Sequence, residues 1–292
     1  MFEPFLINAW IAGTLVGIIA GVVGFFVVLR GDSFLAHAVP HGAFAGAAAA
    51  VLVGANPLLG LGVAATAGAV TISALGARAR RDVATALGLV LMLWLGEFFL
   101  SRGDQYSSQV YALLFGQILG VSTIAIVPMV ALGALCVLTV AVVYRPLLLG
   151  SVLPDMAAGH GVDTRYTSMA FALVVACATT MSVPIVGALL MFALLVGPAA
   201  TARCFTRSPG RSIAVSVVLS VGAVWAAIAL SVQTDWPIGF FVTAICAAMY
   251  IVGRLAGVLS SRRVGRAARE RESTSADIAQ VLHSHPVTVL TL

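Results

Sequence analysis

Residues 8–53 read NAWIAGTLVGIIAGVVGFFVVLRGDSFLAHAVPHGAFAGAAAAVLV: two apolar blocks, 8–29 and 34–53, parted by Arg30, Gly31, Asp32 and Ser33. A hydrocarbon core about 30 Å thick is crossed by roughly 20 helical residues, so each block is long enough to span it. Further blocks of this kind run over 58–77, 83–100, 123–143, 166–181, 185–202, 212–230 and 238–258. Of the 292 residues, 61% are hydrophobic and 9% charged, which leaves too little polar surface to cover a water-soluble globule. The pattern predicts an all-α, polytopic membrane protein with about eight or nine transmembrane helices. Residues 1–258 form the membrane domain, and 259–292 an Arg-rich cytoplasmic tail, partly disordered.

The chain holds no lysine, and its arginines set the expected topology. Arg30, the Arg78, Arg80 and Arg81 group, Arg145 with Arg165, the Arg203, Arg207 and Arg211 group, and the run from Arg254 to Arg271 fall in alternate connections, and only Arg102 lies on the other side. Positively charged loops stay in the cytoplasm, which puts the N-terminus outside and the C-terminus inside the cell membrane. The outer connections then lie near Gly54–Asn56, Ser101–Ser108, Ser182–Pro184 and Ser231–Pro237. The formal charge of +5 is on this reading a topology signal and not a nucleic-acid footprint. The tail's arginines next to the last span suit anionic lipid headgroups. MFEPFLINAW has no basic leader region and runs into a block too long for a signal peptide, so the first span is expected to be retained.

Glycines 13, 17 and 21 recur every fourth residue, as do Gly42 and Gly46. Small faces of this kind let helix backbones approach closely within a bundle. Cys136, Cys177, Cys204 and Cys246 are spread singly, without a CxxC spacing, and read as small core residues.

Missing residues exclude several chemistries. A Walker A loop needs a lysine after GxxxxG, and HExxH needs a glutamate where this chain has Ala38, so neither ATP hydrolysis by that route nor zinc proteolysis is expected. No GxSxG elbow or clustered carboxylate pair appears either, which leaves no constellation for an enzyme. Glu97, in LWLGEFFLS, is the acid that a proton-coupled secondary transporter would have to use, and this is the alternative function; near the outer end of its span it also reaches headgroup water. His283 and His285 in the tail make a poor metal site.

His37 and His41 are the candidate metal ligands. Ionisable side chains inside a membrane are costly, and residues four apart on a helix share a face with about 6 Å between their Cβ atoms. Two imidazoles so placed can close on one ion at about 2.0–2.1 Å. Pro40, between them, removes a helical hydrogen bond to Ala36 and suggests an irregular backbone there. Spacing alone leaves open a pair of neutral histidines bonded to backbone carbonyls.

The segment FVVLRGDSFLAHAVPHGAFAG (26–46) resembles, without a gap, the RRxSxxGDxxxHAxxxG stretch of the permease subunits of zinc and manganese ABC importers, the ABC-3 family. Ser33 matches the family's serine, His41 its histidine, and His37 stands where the family has aspartate. An imidazole in place of a carboxylate moves preference from hard manganese toward zinc. RRDVATALGLVLMLWLG is similar to DxxIGxxFxxxLALG, with Asp82 at its helix start, where an acid can cap free N–H groups. YALLFGQILGVS is similar to YLFGDLLxVS. The match of VPIVGALLMFALLVGPAATARCFTRSP to VGxLLxxALLIxPAATARLxxxxP sets Pro198, Thr201 and Arg203 in register. LLLGSVLPDMAAGHGV is similar to LxxxxFDPExAxxxGI, which implies an ATPase-coupling helix at Pro154, Asp155 and Gly161. From the residues alone, Pro154–Asp155 is a helix start, Gly159 or Gly161 a stop, or the segment is an ordinary interfacial turn.

The resemblance implies a cobalamin-importer-like permease fold and transport by alternating access. It also implies a cytoplasmic ATPase subunit, an extracellular metal-binding protein and a second copy of the chain as partners. No permanently bound cofactor is expected; the divalent metal, zinc or manganese, is cargo.

Overall fold

The computed structural model of the chain describes residues 4–74, 78–102, 115–159, 161–206 and 208–257. They form helices α1 (Pro4–Arg30), α2 (Ser33–Leu52), α3 (Pro57–Ala74), α4 (Arg78–Leu100), α5 (Thr123–Val152), α6 (Pro154–Gly159), α7 (Thr164–Val186), α8 (Ala188–Phe205), α9 (Pro209–Thr234) and α10 (Ile238–Gly257), with a single 3₁₀ turn at Ile118–Gly120. Among the described residues, seven helices are long and apolar enough to cross a membrane, and the apolar stretches Thr85–Leu100 and Leu190–Phe205 add two shorter ones. The all-α polytopic expectation holds, and each of the nine apolar blocks coincides with a helix. The tail from 259 lies outside the described residues.

The core is where α1, α7 and α8 meet, with Phe26, Phe171, Met181, Met191 and Leu195 fully enclosed. Small residues allow this density. Gly17 and Gly21 of α1 face Val221 and Val217 of α9 so closely that a Cβ would come within 3.0 Å of their Cα atoms, and Ser216 of α9 donates to the carbonyl of Gly21 at 2.9 Å. Gly24 backs directly onto the carbonyl of Leu195 in α8, and Gly46 of α2 onto that of Gly60 in α3. Such contacts maximise dispersion where lipid removes any hydrophobic drive for helices to associate. Apolar side chains left on the outside, such as Trp94 of α4 at 74% exposure and Ile124 of α5 at 86%, suit a hydrocarbon surround.

Three helix ends depart from the sequence reading. The break expected at Ser182–Pro184 falls instead at Gly187, and Pro184 is carried inside α7. Gly187 adopts φ 89°, a conformation open to glycine, and its turn packs against Gly116, where a Cβ would strike the backbone of 185–187. The inner connection expected from Tyr144 is helical to Val152, because Leu147, fully buried, extends the apolar face past Pro146. Asp82 does not start its helix: α4 is already formed at Arg78, since arginine and alanine are strong helix formers and need no apolar neighbours.

Candidate metal-transit site

α2 carries His37 and His41 as its fifth and ninth residues, roughly 6 and 12 Å along the axis from its start at 1.5 Å per residue. The two rings lie on one side of the helix, with centroids 4.4 Å apart and planes tilted by 39°. Two nitrogens on a shared tetrahedral ion stand about 3.3 Å apart, a spacing that rings this close can meet with small rotations. His41 is only 6% exposed, while His37 is half-buried.

Hydrogen bonding assigns the nitrogens. His41 Nδ1 lies 2.9 Å from the carbonyl oxygen of His37. A carbonyl only accepts, so Nδ1 carries the proton in the neutral ring and Nε2 keeps a free lone pair. A backbone carbonyl behind a metal-ligating histidine is the usual means of fixing its tautomer. His37 Nδ1 is buried with no hydrogen-bond partner among the described residues. A buried polar atom left so is costly unless something else engages it. Phe192 of α8 closes one side, its ring edge-on to His37 with centroids 4.9 Å apart. Ala36, Ala38, Ala43 and Ala45 of the same helix are buried. Among the described residues no cluster of three or more His, Cys, Asp or Glu side chains forms, so the histidine pair stands there as two ligands. Glu97 is exposed towards the far end of α4.

One end of the bundle is tied by arginines. Arg30 Nε donates to Asp32 Oδ2 at 2.7 Å and Nη2 to Ser168 Oγ at 3.0 Å, while the guanidinium covers the Phe171 ring at 5.1 Å. Arg203 reaches across from α8 to the carbonyl of Val28 at 3.3 Å. Of the other motif residues, Thr201 donates to the carbonyl of Gly197 in its own helix at 2.8 Å, and its methyl meets Gly253 of α10. Pro198 lies within α8. These are packing roles. Pro154 and Asp155 open the short helix α6, which packs on α5 and α7, and Gly161 turns the chain behind it with φ 73°. The structure thus brings His37 and His41 together and leaves the α6 residues as a separate feature. Asp32, two residues from Arg30, was legible as an ion-pair partner; Ser168 and Phe192 carry no local signal, because only packing brings them to α1 and α2.

Residues 2–257 match the profile of a family described as ABC 3 transport family. The chain is 31% identical over 77% of its length, and 80% of the relative's, to the manganese transport system membrane protein MntC of Listeria innocua. It is 27% identical over 86% of its length, and 97% of the relative's, to the high-affinity zinc uptake system membrane protein ZnuB of Haemophilus influenzae. Among solved structures, a chain of PsaBC from Streptococcus pneumoniae superposes with a TM-score of 0.75 at 26% identity, covering 86% of this chain and 91% of that one.

Proposed function

The chain belongs to the ABC 3 transport family, and from that premise we propose that it is the membrane-spanning permease subunit of an ATP-driven importer that carries a divalent transition metal into the cytoplasm, zinc ahead of manganese. The carrying observation is the pair of imidazoles on one face of α2, 4.4 Å apart within an apolar span. Two neutral nitrogens and no carboxylate suit a borderline ion better than hard manganese. Two protein ligands hold an ion weakly, and conduction requires that it can leave. Relatives named for manganese and for zinc support the cargo class.

Energy comes from a separate cytoplasmic ATPase, and metal from an extracellular binding protein, with two copies of the permease side by side. The arginine distribution supports an outer N-terminus and an inner C-terminus. On this arrangement α6 faces the ATPase, and movement there alternates the access of the histidine pair. Asp155→Ala is expected to leave the protein inserted and to uncouple it, lowering metal-stimulated ATP hydrolysis by about tenfold, the effect of a lost coupling contact of 1–2 kcal/mol. ATPase assays on the reconstituted complex measure this, and unaltered stimulation would remove α6 from the coupling path.

The metal class is tested by restoring the carboxylate. His37→Asp replaces one borderline ligand by a hard one, and the ratio of zinc to manganese uptake should fall by about tenfold or more on the ligand-softness argument. Paired radiolabel uptake in cells lacking other importers reads the ratio directly; an unchanged ratio means that His37 does not touch the ion.

A further inference from the structure

The two histidines stand on opposite sides of Pro40, His37 three residues before it and His41 directly after it. The polar and glycine contacts on either side are made with different neighbours, while Ala36 and Val39 before the proline and Ala43 and Ala47 after it all share one core with α1, α3, α7 and α8. Before the proline, Asp32 at the head of α2 is ion-paired to Arg30 of α1, which also donates to Ser168 of α7, and the His37 ring meets Phe192 of α8. After the proline, Gly46 backs onto Gly60 of α3, and Phe44 lies over Gly96 of α4. Phe44 also forms a separate apolar cluster with Ala48 and Leu100.

Between these contacts the helix is weakest. Pro40 has no N–H to offer the carbonyl of Ala36, a residue with no exposed surface, so one rung is missing where the two halves join. Sharp helix bends concentrate at such prolines. A side-chain bond spans the gap, from His41 Nδ1 to the carbonyl of His37.

We propose that Pro40 is a joint set between the two ion ligands, so that bending α2 there changes the separation of the two imidazoles and lets the ion go. The proposal rests on reading His37 and His41 as the ion site. It makes Pro40 a positioning residue for release: the Phe192 ring holds His37 before the proline, His41 follows it, and bending of α2 at the missing rung opens the pair. A helix without the missing rung resists that motion while leaving the i, i+4 relation of the ligands intact.

The test compares wild type, Pro40→Ala, Pro40→Gly and the His37→Ala/His41→Ala double variant in two assays. Zinc binding to the purified permease is measured by competition with a chromophoric chelator, and zinc uptake by radiolabel in whole cells. Alanine restores the helical bond and is the best helix former, so P40A should accumulate normally. It should bind zinc as tightly as wild type or more tightly, while uptake falls by about tenfold or more, the signature of a lost population shift and not of a lost ligand. Glycine also restores the N–H but is about 1 kcal/mol poorer than alanine in a helix, so P40G keeps a soft joint and should recover uptake to within about threefold of wild type. Wild-type uptake by P40A overturns the joint. So does loss of zinc binding in P40A, which would make the proline a static support, and so does failure of P40G to transport with binding intact, which would make the ring itself the requirement. Unchanged binding in the double histidine variant instead overturns the ion site and is read separately from any effect at Pro40.

Discussion

Replacing His37 and His41 together with alanine is expected to cut metal uptake by about 100-fold or more, since loss of even a supporting outer-shell group costs 10–100-fold in metal affinity and these are the ligands themselves. The same variant should insert and melt much as the wild type does. A purely structural pair predicts the reverse. In that case each imidazole would be held by hydrogen bonds, and its removal would cost packing and stability. His41 alone fits that description, through its bond to the carbonyl of His37. His37 does not, because its buried Nδ1 has no hydrogen-bond partner among the described residues, and deleting an unsatisfied atom removes a penalty instead of adding one. Uptake and thermal stability measured on the same preparation separate the cases. Normal uptake would take the histidines out of the transport path.

Gly24→Ala is expected to be highly disruptive for a single methyl between two helices. Its Cβ would land on the carbonyl oxygen of Leu195 and within 2.9 Å of the carbonyl carbon, both rigid backbone with no rotamer to yield. Overpacking of this kind costs about 1–3 kcal/mol or more. For a protein of this size each kcal/mol lowers the melting temperature by about 2–4 °C, so a fall of several degrees is expected. Because α8 carries both Phe192, against His37, and Arg203, against Val28, prising α8 from α1 should also depress uptake beyond the loss of stability. Gly68→Ala on α3, where nothing lies within 4 Å, is the control and should be neutral or slightly stabilising. Equal melting temperatures for the two variants would show that the α1–α8 contact is looser than described.

Hydropathy located every apolar helix among the described residues because a bilayer leaves the backbone no alternative to the helix, and about 20 apolar residues in a row have one use. Its failures are at helix ends. Pro184 reads as a breaker, yet α7 continues through it to Gly187, whose positive φ and fit against Gly116 make the turn. Asp82 reads as a cap, yet α4 has begun by Arg78. The glycine spacing of α1 was legible as a packing face, but nothing local says that its partner is α9 or that Gly24 meets α8.

Composition and local order were enough to establish a helical membrane protein, arginines gathered in alternate connections and two histidines on one helical face, because helix period, bilayer thickness and the cost of buried charge all act over short stretches of chain. Three-dimensional packing had to supply the rest: the 4.4 Å ring separation, the edge of Phe192 against His37, and the grip of Arg30 on Asp32 and Ser168. Those contacts join residues up to 155 positions apart, from His37 to Phe192, and no local pattern encodes them. In a bundle held by dispersion between close-fitting surfaces, the partner of a helix depends on shape matched over its whole length, which no short stretch of sequence contains.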